Sequence, residues 1–398
     1  MRYFHALFMI LPFSMMACKK GSIAPVNNNA GGNTAQINYT SQLLVLSAAE
    51  KVESPWIEVY PDSVYSTMNI GSNMIKVIPK NFEDKVISFY LPKGYMAVFA
   101  ENPDGTGESA SFVAVENPIK ANLPSRLRNN ISYIRYMKIN NPEKKGTCST
   151  SDPSVQAFGA QWHYTWGINR MSFPNQQFVP MTWGKGTCND ENVKLLLERN
   201  DIDHLLSFNE PDNSSQSNVP VDTAIQRYKS MQKTGLRLGS PVVTQDEAVV
   251  DGKWLPHFMA KAKTQQLRID YVAVHWYDWG NQNNNAATDS LTAERIFSRF
   301  VAYIGRVRQA YPGYPIWVTE YNANINRSSQ VIHKYFMKLS SEWMNNSAFI
   351  ERYSYFFPNS VPGVNANNTL TDAGLYWKGL GSTKVFSGNI LQDAIPVN

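Results

Sequence analysis

His204-Leu205-Leu206-Ser207-Phe208-Asn209-Glu210-Pro211-Asp212 and Ile316-Trp317-Val318-Thr319-Glu320-Tyr321-Asn322 decide how this chain is read. Each is an apolar run of strand length that ends in a carboxylate beside Asn or Tyr. Taking a carboxylate out of water costs free energy that a buried strand has no structural reason to spend. Two such glutamates at the ends of separate parallel strands are what a glycosidase needs, one as acid/base and one as nucleophile.

Outward from these stretches, strand-like runs alternate with helix-period segments. The strand candidates are Lys145 to Cys148, Phe158 to Trp166, Phe178 to Trp183, His204 to Asn209, Leu236 to Val243, Tyr271 to Trp276, Ile316 to Glu320 and Tyr353 to Phe357. Amphipathic stretches such as Asn192–Arg199, Asp222–Lys233, Leu291–Ala310 and Gln330–Met344 lie between them. Gly235 and Gly313 stand where helix C-caps belong. Eight alternations over residues 144–398 have the rhythm of an α/β protein, a (β/α)8 TIM barrel.

Chemistry in that fold sits at the C-terminal strand ends. Those ends carry Trp162-His163-Tyr164-Thr165-Trp166, Trp183, Asn209-Glu210, His275-Trp276-Tyr277 and Glu320-Tyr321-Asn322. The set is a ring of aromatics around two carboxylates. Aromatic faces stack on pyranose rings while amides and imidazole bond hydroxyls, so the reading is a carbohydrate cleft. Glu210 is read as acid/base and Glu320 as nucleophile. Asn209, His275, Tyr277, Trp276, Trp183, Trp162 and Tyr321 are read as substrate-binding. His163 and Trp166 are left as lining residues, and Asp212 as a cap on the loop after the fourth strand. Mutual repulsion is expected to raise the pKa of one glutamate, as an acid catalyst requires. No His-x3-His pair supports zinc, so no metal or cofactor is expected here.

Phe208-Asn209-Glu210-Pro211-Asp212, Val274-His275-Trp276-Tyr277 and Trp317-Val318-Thr319-Glu320-Tyr321 resemble the glycosyl hydrolase catalytic core, glycoside hydrolase family 128. Val179 to Gly184 and Trp162 to Trp166 agree with it, and the likeness runs over about residues 144–385. The resemblance implies retaining hydrolysis of β-1,3-glucan, with the acid/base on the fourth strand and the nucleophile on the seventh. The loop after the sixth strand, Asn281 to Asn285, is longer and more polar than the resemblance leads one to expect, which leaves subsite specificity open. Alternatives are another β-glucan or a mannan as substrate, or a glycan-binding surface protein without turnover.

Residues 41–140 show period-two alternation with turn punctuation and six or more short strands, among them Trp56–Tyr60, Lys76–Ile78, Val86–Phe89, Tyr95–Phe99, Ser111–Val115 and Tyr133–Met137. That is a β-sandwich. Tyr60-Pro61-Asp62-Ser63-Val64-Tyr65 resembles the tyrosine corner of a βγ-crystallin Greek key. Glu83 to Ser88 and Asn129 to Ser132 resemble its paired calcium loops, but Ile87 and Arg128 replace expected ligands. Calcium needs six or more oxygens, so these losses speak against strong binding.

Before this domain, Met1-Arg2, the apolar run Tyr3 to Ala17 and Met16-Ala17-Cys18 resemble a bacterial lipoprotein signal, residues 1–17, with Cys18 as the lipidated residue. Residues 18–40 are polar and Gly/Asn-rich, and read as a tether. The expected location is the cell envelope, anchored through lipid, or secretion. Of 398 residues, 17% are charged, and the net charge of +5 has no Lys/Arg block longer than a pair, which speaks against nucleic acid as a partner. Cys148 and Cys188 remain for a disulfide, whose formation sequence leaves open.

Overall fold

The computed structural model describes residues 36–68, 75–149, 151–279 and 290–397. The segment read as a signal with Cys18, most of the stretch read as a tether, and residues 281–285 lie outside them.

The first part of the chain forms two sheets from β1 (Leu44–Ser47), β2 (Trp56–Val59), β3 (Ser63–Ser66), β4 (Ile75–Val77), β5 (Ser88–Leu91), β6 (Tyr95–Ala100), β7 (Ser109–Ala114), β8 (Ile119–Asn122) and β9 (Tyr133–Lys138). One sheet runs β8-β5-β1-β2 and the other β7-β6-β9-β3-β4. Leu46, Phe89, Phe99, Phe112 and Tyr136 fill the space between them. Tyr65 Oη accepts from the Tyr60 amide at 2.7 Å. Asp84 and Asn129 both have positive φ, and Ser132 Oγ donates to Asp84 at 3.2 Å.

All six residues of β6 are buried, because alternate residues face two different cores. Ala97 and Phe99 point between the sheets, while Met96 and Val98, with Val113 and Met137, pack into the core of the second part. The small domain is thereby fused to the large one through an apolar face. Arg135 reinforces the junction. Its guanidinium donates to the carbonyls of Thr234, of Leu196 at 3.5 Å and of Arg199 at 2.5 Å, where two helices end and a cation is favoured.

The second part contains eight parallel strands: β10 (Lys145–Cys148), β11 (Trp162–Tyr164), β12 (Gln177–Phe178), β13 (His204–Leu205), β14 (Arg237–Leu238), β15 (Val272–Tyr277), β16 (Ile316–Asn322) and β17 (Ile350–Tyr355). Six pair in the order β12-β11-β10-β17-β16-β15, and β13 pairs β14. Parallel bridges Met181↔Leu206 and Gly239↔Tyr271 join the two groups into a circuit that follows chain order. Inside it stand Trp162, Tyr164, Tyr271 and Trp317, the last two stacked with centroids 4.1 Å apart. Gly146 makes the room: a Cβ there would come within 2.1 Å of the Trp162 ring.

The helices are α1 (Asp152–Phe158), α2 (Asp190–Leu197), α3 (Val221–Gln232), α4 (Gln245–Val249), α5 (Trp254–Thr264), α6 (Ser290–Ala310), α7 (Gln330–Asn346) and α8 (Asp372–Gly379). The four amphipathic stretches expected from periodicity fall on α2, α3, α6 and α7. Phe158, expected to open the second strand, instead ends α1, where Gly159 supplies a left-handed cap at φ 64°. No helix lies between β11 and β12, and two lie between β14 and β15. Gly235 does turn the chain after α3, at φ 63°, and a Cβ there would meet Tyr133 Oη at 2.5 Å.

The chain end departs from the expected domain limits. Residues placed with the large domain return to the small one: β18 (Ile390–Leu391) pairs with β7, and β19 (Ile395–Pro396) with β8. Both add to open sheet edges, whose unpaired backbone groups need partners. A cavity of about 1270 Å³ lies beneath this tail, lined by Arg126, Arg268, Tyr314, Phe349 and Gln392 among others, and neither Glu210 nor Glu320 borders it. Cys148 and Cys188 are both free thiols, so no disulfide joins them.

Candidate active site

Glu210 and Glu320 meet at the C-terminal ends of the parallel strands, with His275 between them. His275 Nδ1 is 3.0 Å from Glu210 Oε1, and Nε2 is 3.4 Å from Glu320 Oε1, the latter without hydrogen-bond geometry. The small domain contacts the opposite, strand-start end: Ser111 Oγ donates to Asp270 at 2.7 Å, and the Asn140 amide to Asp203 at 2.8 Å. That module is therefore remote from the carboxylates.

An irregularity aims Glu320. Along β15, Ala273 faces the interior of the circuit while Val272, Val274 and Trp276 face the helices, so His275 and Tyr277 face inward by alternation. On β16, Trp317 is inward and Val318 outward, and unbroken alternation would send Glu320 outward too. The register shifts instead: Val274 pairs with Val318, but His275 pairs with Glu320. Thr319 is the extra residue, and the bulge turns Glu320 into the interior.

Three donors hold the Glu320 carboxylate. Trp166 Nε1 donates to Oε1 at 2.7 Å, Tyr277 Oη to Oε2, and Tyr164 Oη shares its proton between the same Oε1 at 3.2 Å and Thr319 O at 3.0 Å. Burial, followed by the Glu320 charge, pushes the Tyr277 and Tyr164 hydroxyls well above their ordinary pKa, which keeps them donors. Glu210 is held differently. Its backbone is left-handed at φ 41°, an unusual state for a residue with a side chain, and its amide donates to Val242 O at 2.7 Å. Asn213 Nδ2 donates to Oε2 at 3.3 Å.

The expected rise in acid pKa is not what Glu210 shows. Burial pushes its carboxyl up, but the hydrogen bond and charge of His275, with Asn213, hold it below the ordinary value. Burial likewise pushes His275 down, and Glu320 and Glu210 outweigh that, holding it above its ordinary value. The imidazole beside Glu210 thus opposes the effect of burial on that carboxyl.

Of the expected binding residues, Asn209, His275 and Tyr277 are at the site. Asn209 Oδ1 is buried without a partner among the described residues, ready for a ligand donor. Trp183 is half-buried and packs against the inner aromatic cluster, and its carbonyl accepts from the Asn209 amide at 2.9 Å. Three are elsewhere. Trp162 is deep inside the circuit, its Nε1 donating to Lys144 O at 2.9 Å. Trp276 faces outward onto Phe300 and Phe336. Tyr321, turned outward by the bulge, packs on Phe300 and accepts from Ser340 Oγ at 3.2 Å. Tyr164 and Trp166 matter more than the sequence suggests. Trp166 has φ 56°, a turn that accompanies its indole's contact with Glu320. Asp212 caps Thr244, accepting from its amide at 3.2 Å.

The model of the glycosyl hydrolase catalytic core family matches residues 141–383. The chain belongs to that family. This glycosyl hydrolase is similar to a GH128 (subgroup I) endo-β-1,3-glucanase from Amycolatopsis mediterranei, solved in complex with laminarihexaose. That structure is 28% identical, covers 60% of this chain and 100% of its own, and superposes with a TM-score of 0.51. The same enzyme solved with laminaritriose gives 28% identity, the same coverage and a TM-score of 0.51. A search of curated proteins found no match.

Proposed function

We propose that this glycoside hydrolase cleaves β-1,3-glucan with retention, Glu210 serving as acid/base and Glu320 as nucleophile. The carrying observation is the difference between the two carboxylates' partners. Glu320 is fixed by one indole and two phenol donors, none of which titrates near neutrality, as suits a group that must stay ionised and aimed. Glu210 faces a titratable imidazole at 3.0 Å, as suits a group that must take and release a proton. The 3.0 Å contact between His275 and Glu210 is short enough to carry a proton. That proton can pass to Glu210 when a glycosidic oxygen arrives, and Glu210 can later take one from water. Asn209 Oδ1 would accept from a sugar hydroxyl beside the reacting carbon.

The β-1,3 linkage is supported by the laminari-oligosaccharides bound to the similar enzyme. Under this reading the eight-stranded circuit is a (β/α)8 barrel with one crossover lacking its helix, and the paired sheets are a βγ-crystallin-like sandwich braced on its floor. Cys18 is proposed to carry a lipid that holds the enzyme in the cell envelope; Cys18→Ala would shift it from the membrane to the soluble fraction.

The test is reducing-sugar release from laminarin, curdlan, mixed-linkage glucan and mannan, by wild type, Glu210→Gln and Glu320→Gln. Release from the β-1,3-glucans, lost in both variants, supports the reading; release from mannan alone overturns the substrate. Proton NMR of the first-formed anomer checks retention.

A further inference from the structure

We propose that Trp279 is a stacking platform for a glucosyl ring lying beyond the one whose bond is cleaved; this rests on the β-1,3-glucan reading above. All ten tryptophans fall within the described residues, and nine are buried or half-buried. Trp279 is 45% exposed. It stands two residues past the end of β15, on the same end of the molecule as both carboxylates. Its ring lies 6.0 Å from that of Tyr277, whose hydroxyl touches Glu320.

The aromatic surface is continuous from there. Tyr277 is 6.1 Å from Phe356, and Phe356 is 6.0 Å from Trp166, whose indole also bonds Glu320. Trp279 extends this wall one ring outward from the nucleophile into solvent. The exposed part of this indole matches the flat C–H face of a pyranose.

The backbone leading to Trp279 is anchored. Asp278 is buried and pairs with Arg299 from α6 at 2.8 and 2.9 Å and with Arg327 at 3.5 Å. Its carbonyl accepts from Asn324 Nδ2 at 2.8 Å. A platform already anchored in this way loses little conformational freedom when sugar binds.

The experiment compares wild type, Trp279→Ala and Trp279→Phe on laminari-oligosaccharides from the trisaccharide to the hexasaccharide. Trp279→Ala should raise KM for the hexasaccharide about tenfold. Most of the loss should be in KM rather than kcat, should fade as the substrate shortens, and should be largely restored by Phe. Calorimetry of laminarihexaose on a Glu320→Gln background should show the same weakening. Unchanged affinity at every length overturns the proposal. An equal kcat loss at every length also overturns it, since that would mean Trp279 merely supports Tyr277. Failure of wild type itself to cleave β-1,3-glucan would overturn the substrate reading and this proposal together, and is seen without any variant.

Discussion

His275 Nδ1 lies 3.0 Å from Glu210 Oε1, and this contact sets the protonation state of the site. The glutamate is lowered and the imidazole raised, so the pair is charged over the range in which both hold. The signs oppose. The lowered Glu210 contributes stability above its unfolded value, about 4.3, and loses it as pH falls through the folded pKa. The raised His275 contributes fully below about 6.5 and loses it as pH rises through its folded pKa. The contact should therefore stabilise most between about pH 4.3 and 6.5.

His275→Gln removes the charge while leaving an amide near Glu210. The carboxyl of Glu210 should then rise, since burial is the largest remaining influence. Carbon NMR of labelled glutamate reads this directly, and kcat should fall roughly hundredfold or more. A Glu210 titration identical to wild type would mean that His275 does not control the charge of Glu210.

Tyr277→Phe deletes the hydroxyl that donates to Glu320 Oε2. With Tyr164 and Trp166 still in place, Glu320 keeps two of its three donors. We expect kcat to drop roughly ten- to hundredfold, with KM nearly unchanged and folding stability within about 1 kcal/mol. A selective rise in KM would instead assign the hydroxyl to substrate binding.

His163 faces away from the site, against Phe173 and Phe178, with neither ring nitrogen hydrogen-bonded among the described residues. Burial pushes it down to about 4. As pH falls from about 6.5 toward that value, the unfolded chain takes up a proton that the fold cannot, and stability is lost. His163→Phe should stabilise by about 1 kcal/mol at pH 7, and by more at pH 5. Denaturant midpoints at the two pH values check this; a destabilised variant at both would contradict it.

A chain ending at Ser387 lacks β18 and β19. It forfeits the bonds from the Ser111 amide to Gln392 at 2.8 Å, from the Val115 amide to Asn389 at 2.8 Å and from Gln392 to Asp270 at 2.9 Å. The loss should be on the order of 3 kcal/mol, with association through the bared edge of β7. Turnover at 25 °C should persist, because the tail lies at the end away from the carboxylates. Thermal unfolding and initial rates separate the two effects.

Much of the architecture was legible because it is written in local periodicity. Lys145–Cys148 appears unaltered as β10, and the amphipathic segments 222–233 and 330–344 differ from α3 and α7 by a residue or two at their ends. What escaped was structure whose cause lies elsewhere in the chain. β1, β3 and β8 are short segments stabilised by neighbouring strands, and α8 is one turn-pair between long-range contacts. β18 and β19 carry little pattern of their own, and exist because two sheet edges need partners.

The sequence by itself determined that two glutamates would fall near the ends of separate strands, though one lies five residues past β13 and the other inside β16, and that His275 and Tyr277 would share one side of a strand. These follow from strand length and period two, which are properties of neighbouring residues. Tertiary structure decided which aromatics face the site and which serve as packing. The extra residue at Thr319 turns Glu320 inward and Tyr321 outward, and the left-handed backbone at Trp166 brings an indole onto Glu320. Bulges and positive φ values arise where strands of fixed register must close on one another, so no local pattern announces them.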